Sequence, residues 1–395
     1  MGDLVKYLIE FLLYGNTEAV SQVGYTDDES LWSQYRVVII PNTKFGKTIV
    51  HPDLSPLRTR QVGNTTVIEQ DIVYTAFFFL SRAEELINDQ RDAHNRFVAH
   101  LSVLHRKNML QMPLLDEYGH ILLKMLNLPL PEPGFDHIYL THDVDTLSFY
   151  RSLRGTLGGI YRGEYGKMIL AHHNLFRDPA FTFPWILETD ERLIQNAPCP
   201  VSQVYFLKKG PNIGHDYPQY GGRDQRALLN LLKSHHAIIG YHSAYDSNYL
   251  NSPDEMVGII NRRWHRSHYL RCSLDRMQYL EELGYTDDFT MGFADEPGFR
   301  LQTTRAVRWI NPYTYSVSGL TLHPLVLMDT TLSDERYMRL NEEEAWFTCQ
   351  QLIERIRQNH GEVVLLWHNS NFIHPQYHKS LYAKIIDSLC TTKDN

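Results

Sequence analysis

The chain has 395 residues, of which 43% are hydrophobic and 21% are charged, the proportions of an ordinary globular protein. At roughly 150 residues per domain, this length predicts two or three domains. The 38 Lys and Arg residues against 46 Asp and Glu residues give a net charge of −8, so the sequence lacks the excess of positive charge that nucleic-acid binding requires.

No segment of the sequence predicts a membrane span or a disulfide scaffold. The longest apolar runs are much shorter than the roughly 20 residues of a membrane helix. Residues 1–15 lack a basic leader and a small-residue cleavage site, so they predict an amphipathic helix rather than a signal peptide. The four cysteines form no C-x-x-C pair, which argues against a disulfide framework and a cysteine-rich zinc site. We therefore expect a cytoplasmic protein.

A proline-rich segment divides the sequence into two parts. Three prolines alternate with other residues in LPLPEPG (128–134), and such a run favours an extended connector over a helix. Three apolar segments precede it, the first of them a predicted strand: 35–42, 72–87 and 120–128. We expect an N-terminal domain of residues 1–130, to which the sequence assigns no function, and a second domain of residues 131–395.

Beyond the connector, short apolar runs alternate with helix-like stretches. Five runs have the character of buried strands: 137–143, 201–207, 236–242, 288–293 and 362–368. Three stretches predict helices: 223–235, 252–271 and 341–360. This alternation predicts parallel βαβ units, in either an open doubly wound sheet or a (β/α) barrel. No G-x-G-x-x-G or P-loop motif occurs, so the nucleotide-binding versions of these folds lose support.

Aspartate and histidine side chains follow three of the predicted strands. They are Asp143 and Asp145 after the first strand, His242 and Asp246 after the third, and His368 after the last. In parallel α/β folds the carboxyl ends of the strands meet at the edge where active sites form. We therefore expect these side chains to lie together, although an isolated D-x-D or His-Asp pair is more often a solvated turn or surface pair.

Three of these side chains form a candidate metal site. Two adjacent carboxylates repel each other unless a cation lies between them or one takes a proton. The spacing of His242 and Asp246 would place both on one face of a helical turn, and Asp145 would complete three ligands with room for water. This mixture of ligands predicts zinc, with manganese, iron and cobalt as alternatives. The basic run around His268 predicts only a solvated helix face.

The sequence from about 136 to 390 resembles the polysaccharide deacetylase family, the metal-dependent N-deacetylases of chitin, peptidoglycan and related sugars. T-H-D-V-D at 141–145 is similar to a variant of the family's first motif, and H-S-A-Y-D at 242–246 is similar to its second. This resemblance makes Asp143 the general base and gives the three candidate ligands their role in holding the metal.

Three further motifs follow in the family's order. R-S-H-Y, from Arg266 to Tyr269, is similar to the third motif, in which the arginine orients the base and the tyrosine N–H helps to bind the oxyanion. Asp288 is the best match to the aspartate that supports the catalytic histidine, with Asp287 as its rival. L-L-W-H, which ends at His368, is similar to the fifth motif and implies that this histidine is the general acid.

The resemblance implies a distorted (β/α)₇ barrel preceded by a smaller α/β N-terminal domain, similar to the extra domain of an atypical bacterial subgroup. It also implies removal of an acetyl group from an N-acetylated poly- or oligosaccharide, or from its precursor. Two alternatives stay open. One is another hydrolase on the same barrel, and a glycosidase would need two carboxylates but no metal. The other is a saccharide-binding protein without turnover. For a cytoplasmic member, we expect a small or lipid-linked saccharide precursor as substrate.

Overall fold

Two β-sheets organise the chain, and their strands come from opposite sides of the proline-rich segment. The structure is a computed structural model that describes residues 2–42, 45–46, 48–208, 222–245, 250–373 and 375–390. In these residues a four-stranded sheet lies in the N-terminal part and a nine-stranded sheet in the remainder. The fold is mixed α/β, as the sequence predicts.

The N-terminal sheet is formed by short strands. They are β1 (Val23–Tyr25), β2 (Val37–Ile39), β3 (Thr59–Val62) and β4 (Thr65–Ile68). Their order is β1-β2-β4-β3, with β1, β2 and β4 parallel and β3 antiparallel to β4. The helices of this part are α1 (Gly2–Leu12), α2 (Ile72–Leu80), α3 (Glu84–Ile87), α4 (Val103–Arg106) and α5 (Leu114–Met125).

The larger sheet carries the strands of the second part. They are β5 (Phe135–Val144), β6 (Val201–Lys208), β7 (Ile238–Ser243), β8 (Trp264–Ser267), β9 (Asp287–Met291), β10 (Val307–Asn311), β11 (Ser316–Pro324), β12 (Leu327–Met328) and β13 (Gly361–Leu366). Their order is β10-β11-β9-β8-β7-β6-β5-β13-β12, and every neighbouring pair is parallel except β10 with β11. The parallel strands bring their carboxyl ends to one edge, as expected for an α/β sheet.

Helices cover the larger sheet. They are α6 (Leu153–Tyr161), α7 (Tyr165–His173), α8 (Phe183–Asn196), α9 (Gly222–Ser234), α10 (Leu274–Glu282), α11 (Asp329–Ser333), α12 (Glu342–Gln358) and α13 (Pro375–Cys390). The start of α12 shows how the sequence sets a boundary. The Asn341 side chain accepts a hydrogen bond from the Glu344 N–H, and the Glu344 carboxylate accepts one from the Asn341 N–H. This reciprocal pair satisfies N–H groups that a helix terminus leaves without partners.

Most predicted elements of the second part are confirmed. The five predicted strands are β5, β6, β7, β9 and β13, and the helices predicted at 223–235 and 341–360 are α9 and α12. The helix predicted at 252–271 is wrong, because this stretch contains strand β8. The polar residues of this stretch belong to a buried strand. His265 contacts Asp288 and Arg266 contacts Asp143, and both His265 and Arg266 are fully buried.

One hydrophobic core joins the N-terminal part to the larger sheet. Helix α2 has only buried residues, and its members share a cluster with Trp309 of β10. The ring of Phe77 stacks on that of Tyr315, with 5.3 Å between ring centroids. Aromatic side chains bury large apolar areas, and stacked pairs add about 0.5–1.5 kcal/mol beyond that burial. The connector therefore divides the sheets but not the core, and the boundary at residue 130 stays a prediction.

Buried charges cross the same junction. The carboxylate of Glu85 accepts hydrogen bonds from Arg82 at 2.8 Å and from Arg300 at 2.7 Å. Burial opposes ionisation of Glu85, but the two guanidinium groups outweigh it and lower its pKa to about 2. A second carboxylate, Asp116, accepts from the Thr304 N–H at 2.7 Å and from the Arg305 side chain at 2.9 Å. A buried charge that loses its partner is strongly destabilising, so these contacts fix the two parts relative to each other.

The larger sheet is curled, and its two ends approach each other. Only two residues separate β11 from β12, so one extended stretch pairs with β9 at its start and with β13 at its end. His323 bridges this junction: its ring contacts Glu362 Oε2 at 2.8 Å and Asp287 Oδ1 at 3.0 Å. The described residues thus form a nine-stranded curled sheet, and the seven-stranded barrel implied by the resemblance is a finer description that these pairings do not establish.

Among the described residues, no helix combines the length and the apolar character needed to cross a lipid bilayer.

The bridge at His323 predicts a pH-dependent stability. Burial would lower the pKa of His323, but the carboxylates of Glu362 and Asp287 raise it to about 9. Because the folded pKa lies above the unfolded value, the stabilisation is complete below about pH 6.5 and is lost as the pH rises through 9. We expect His323→Gln to remove about 3 kcal/mol at pH 6, and much less at pH 9.5, measured by denaturant unfolding at each pH.

The control for this experiment is His100→Gln, since His100 is an exposed histidine that pairs with Asp295. This variant should follow the wild-type curve throughout. If the stability curves of His323→Gln and the wild type stay parallel from pH 6 to 9.5, protonation of His323 does not stabilise the sheet.

Candidate functional site

The predicted site residues converge at the carboxyl edge of the larger sheet. Asp143 is the penultimate residue of β5, His242 lies at the end of β7, and His368 follows β13 by two residues. Strand β5 pairs with β13 on one side and with β6 on the other, and β6 pairs with β7. The expectation that strand ends collect these side chains is confirmed for the residues that the structure describes.

Asp143 lies at the centre of this group and is 3% exposed. Arg266 Nη1 donates to its Oδ1 at 3.2 Å, while Oδ2 lies 3.5 Å from His242 Nε2 and 3.9 Å from His368 Nε2. Arg266 is itself fixed, because its Nε donates to the Phe289 carbonyl at 3.1 Å. Arg266 therefore binds Oδ1 of Asp143, and Oδ2 faces His242 and His368.

Asp145, His242 and His268 form a group of potential metal ligands, each offering one donor atom within 4.8 Å of the others. Asp145 Oδ1 lies 3.6 Å from His242 Nε2 and 3.7 Å from His268 Nε2. One carboxylate and two imidazoles are a ligand set of the kind used in catalytic zinc sites, which keep a further position for water. Two of the three predicted ligands are in this group.

The orientation of the His242 ring suits a metal ligand. Its Nδ1 lies 3.1 Å from the carbonyl oxygen of Arg266, and a carbonyl only accepts hydrogen bonds, so Nδ1 carries the proton. Nε2 is the ring nitrogen that faces Asp143 and Asp145, and this buried atom has no hydrogen-bond partner. Metal-binding histidines usually donate their second ring N–H to such a group. The residues present thus fit a divalent transition metal.

Lys208, the last residue of β6, places a positive charge in the same group. Its ammonium nitrogen is 2.7 Å from Asp145 Oδ1 and 3.0 Å from His268 Nε2. Burial opposes ionisation of Asp145, but Lys208 and the neighbouring histidines outweigh it and hold its pKa well below the usual range. Sequence reasoning did not single out Lys208, although it directly follows the predicted strand 201–207.

The third predicted ligand, Asp246, lies outside the described residues. The expectation that His242 and Asp246 share a helical turn is wrong for His242, which lies in strand β7. His268 was expected on a solvated helix face, but it is 4% exposed and belongs to the ligand group. Sequence reasoning missed His268 because basic residues surround it and such a run is usually exposed. Here Arg266 of that run instead contacts the buried carboxylate of Asp143.

His368, the predicted general acid, is held by Asp329. The Asp329 carboxylate accepts from His368 Nδ1 and from the His368 backbone N–H, each at 2.7 Å. It also accepts from the Asn371 side chain at 2.8 Å. Burial would lower the pKa of His368, but the Asp329 carboxylate raises it to about 9. The ring is thereby oriented with Nε2 toward Asp143 and Asp145, 3.9 Å from each.

Asp288, the residue predicted to support the catalytic histidine, instead binds His265. Its Oδ2 lies 2.7 Å from His265 Nδ1, and it accepts from the hydroxyl and N–H of Thr290. The other ring nitrogen of His265 contacts the Ser243 hydroxyl at 2.9 Å. This serine, histidine and aspartate are all fully buried, so the chain of contacts ties β7, β8 and β9 together. The rival Asp287 contacts His323.

The expected contact with His368 is thus made by Asp329, not Asp288. Asp329 directly follows strand β12. The strand-end rule that selected Asp143 would also have selected Asp329, had the two-residue strand before it been recognised.

The turn at Tyr269 is held by the N-terminal part of the chain. Tyr269 and Leu270 both have positive φ, at 58° and 55°, a conformation that is uncommon for bulky residues and persists where surrounding contacts enforce it. Arg96 Nη1 donates to the Tyr269 carbonyl at 3.2 Å, and its Nε donates to Asp92 at 2.8 Å. The ring of His94 lies 4.8 Å from that of Tyr269. The predicted role of the Tyr269 N–H in binding an oxyanion stays a prediction.

Comparisons with known proteins give two findings. A family model described as a family of unknown function, DUF7033, matches residues 12–131. The crystal structure of a "putative polysaccharide deacetylase" from Mycobacterium smegmatis aligns with 68% of this chain and 88% of its own, at 15% sequence identity and a TM-score of 0.41. No curated protein sequence matches the chain.

The ligand group predicts metal binding that depends on named side chains. We expect about one equivalent of Zn²⁺ in the wild-type protein by elemental analysis, and its loss in the Asp145→Ala/His242→Ala variant. Single variants His268→Ala and Asp246→Ala decide which of these two residues supplies the third ligand. Lys208→Met should bind Zn²⁺ more tightly, because an ammonium beside two donor atoms repels a cation.

His105→Ala is the control, since this exposed histidine contacts Glu296 and does not belong to the ligand group. It should retain the wild-type metal content. Absence of metal from the reconstituted wild type, or equal metal content in the double variant, would contradict the predicted metal site.

Proposed function

We propose that the protein is a metal-dependent hydrolase that removes an acetyl group from an N-acetylated saccharide. The observation that carries this proposal is the pairing of Asp143 with His368 beside the ligand group. Asp143 Oδ2 and His368 Nε2 lie 3.9 Å apart, and each residue is held on its far side by a partner of opposite charge, Arg266 for the aspartate and Asp329 for the histidine. A base and an acid fixed in this way suit the two proton transfers of amide hydrolysis.

Asp145, His242 and His268 would hold the metal. When bound there, a divalent ion supplies Lewis acidity toward the acetamide carbonyl and the attacking water. His242 is suited to this role by its buried Nε2, which has no hydrogen-bond partner, and Asp145 is kept ionised by Lys208. Zinc fits the donor set best, while manganese, iron and cobalt also accept carboxylate and imidazole ligands.

The proton transfers follow from the hydrogen bonds. Arg266 occupies Oδ1 of Asp143, so Oδ2 is the oxygen that accepts the proton of the attacking water. His368, kept protonated by Asp329, donates its Nε2 proton to the sugar nitrogen as the C–N bond breaks. The products are acetate and the free amino sugar. The Tyr269 N–H, in the turn directly after His268, is the proposed donor to the oxyanion.

The two alternatives differ from this proposal in measurable ways. A glycosidase using the same carboxylates would release reducing ends and would not lose activity to a chelator. A saccharide-binding protein would bind N-acetylated sugars without releasing acetate. The fixed orientation of both Asp143 and His368 supports the hydrolase, because binding alone requires neither a base nor an acid.

The base assignment predicts that Asp143→Asn lowers kcat by about 10²–10⁴-fold and leaves the metal content unchanged. The amide cannot accept the proton of the water, yet it has almost the same shape. The measurement is acetate release from a panel of N-acetylated oligosaccharides, with metal analysis of the same samples. Asp136→Asn is the matched control, since Asp136 is exposed at the opposite end of the same strand. Full activity of Asp143→Asn would refute the assignment.

The two histidine–aspartate pairs predict different losses. Asp329→Asn should lower kcat by about 10²-fold or more, since an amide no longer favours the protonated ring of His368. Asp288→Asn should act mainly on the melting temperature, because its partner His265 contacts Ser243 and not the central carboxylates. The comparison uses acetate release and thermal unfolding of both variants. Equal losses of kcat at equal stability would contradict the assignment of Asp329.

A further inference from the structure

Helices α6 and α7 expose large apolar side chains to solvent. We define the apolar surface by six of them: Leu153, Leu157, Tyr161, Tyr165, Ile169 and Leu170. Leu153 is 79% exposed, Tyr161 is 93% exposed and Ile169 is 63% exposed. Single exposed apolar residues are ordinary, but a contiguous group on neighbouring helices marks an interaction site.

The apolar side chains share the outward faces of the two helices. In α6, Leu153, Leu157 and Tyr161 are spaced by four residues, so they lie on one helical face. In α7, Tyr165 and Ile169 have the same spacing. The only buried residue of α6 is Gly159, and the only one of α7 is Ala171. The helices thus turn their small residues inward and their large apolar residues outward, the reverse of a helix that packs on a core.

The charge of this segment is opposite to that of the chain. Residues 149–177 contain five Lys or Arg residues and one acidic residue, Glu164, whereas the whole chain has a net charge of −8. Arg154, Lys167 and Arg177 are exposed. An acidic protein is repelled from an anionic surface unless it carries such a local basic segment.

Contacts at its base hold the segment to the protein. Asp178 accepts hydrogen bonds from the N–H groups of Phe149 at 2.6 Å and Tyr150 at 2.9 Å. Arg151 donates to Asp224 of α9 and to the carbonyl of Ala171, so it links α6, α7 and α9. The apolar surface is therefore presented on an anchored helix pair.

We propose that the apolar surface of α6 and α7 docks the protein on an anionic lipid membrane. Helices that combine aromatic and aliphatic side chains on one face with Lys and Arg nearby lie in the headgroup region of a bilayer. The apolar side chains enter the interface and the basic residues contact lipid phosphates. This is binding to the membrane surface, without a span.

The position of the surface also indicates a substrate class, and this step rests on the proposed function. Helix α6 begins eight residues after Asp145, and eight residues reach at most about 28 Å. Docking of α6 and α7 would hold the candidate active site within that distance of the lipid headgroups. The substrate that fits this placement is an N-acetylated saccharide attached to a membrane lipid.

The test is co-sedimentation of the full chain with vesicles of phosphatidylcholine alone and vesicles of equal parts phosphatidylcholine and phosphatidylglycerol. We expect binding to the mixed vesicles and about tenfold weaker binding to the neutral ones. Leu157→Ser/Ile169→Ser should weaken binding to the mixed vesicles by about tenfold or more. Arg154→Glu/Lys167→Glu should remove the preference for phosphatidylglycerol.

Val257→Ser/Phe347→Ser is the matched control, because these side chains are 78% and 59% exposed and lie outside the apolar surface. This variant should bind as the wild type does, and circular dichroism should show that all variants are folded. No binding of the wild type to either vesicle, or an equal loss in the control, would overturn the proposal. So would a dimer that is lost in Leu157→Ser/Ile169→Ser without any binding to vesicles, because the surface would then join two copies of the chain.

Failure of the proposed function gives a different pattern. Acetate release is measured on a water-soluble N-acetylated oligosaccharide and on an N-acetylated glycolipid in mixed vesicles. We expect Leu157→Ser/Ile169→Ser to retain activity on the soluble substrate and to lose it on the vesicles. Wild-type protein that binds vesicles but releases no acetate from either substrate would refute the hydrolase and leave membrane docking intact.

Discussion

Asp143 and Asp145 are held close together at the end of one strand, where little water can screen their charges. Each carboxylate has a positive partner: Arg266 for Asp143 and Lys208 for Asp145. An uncompensated buried charge costs several kcal/mol, so the positions of these partners are tightly constrained. Two strands beside β7 supply both partners. Strand β6 ends at Lys208, and β8 carries Arg266 inward and delivers His268 to the ligand group.

The site contains two histidine–aspartate pairs, and the role of each pair depends on what the Nε2 atom of its histidine faces. His265 and His368 each bind a buried carboxylate through Nδ1 at 2.7 Å. Nε2 of His265 meets the hydroxyl of Ser243, which is fully buried, so the pair can only join strands. Nε2 of His368 faces the two central carboxylates. Orientation toward the strand ends, more than residue type or burial, distinguishes the candidate acid from the structural histidine.

The sequence predicted the parts of the structure in which apolar pattern and strand position agree. Five strands of the larger sheet and the convergence of Asp143, Asp145, His242 and His368 follow from that agreement, whereas the contact of Arg266 with Asp143 was expected only from the family resemblance. Strand β8 and His268 could not be predicted in this way, because their polar letters resemble a solvated helix when the neutralising carboxylates are unknown. Asp329 was missed for another reason: β12 has only two residues, too few for an apolar period. The contact of a turn with a distant arginine, as at Tyr269 and Arg96, depends on tertiary packing and leaves no local pattern.

The elements outside the larger sheet act on the site in two ways. Arg96, from the N-terminal part, fixes the carbonyl of Tyr269 in a turn where two bulky residues adopt a left-handed conformation. Such a conformation costs of order 1–3 kcal/mol per residue and is retained only where other contacts enforce it. Arg96 can hold the turn only if the N-terminal part is rigidly attached to the larger sheet. The shared hydrophobic core and the buried contacts of Glu85 and Asp116 provide that attachment. Helices α6 and α7 act differently, because their outward faces make no comparable packing contacts and remain exposed. The N-terminal part therefore shapes the candidate site from within the protein, and the apolar surface determines which environment that site faces.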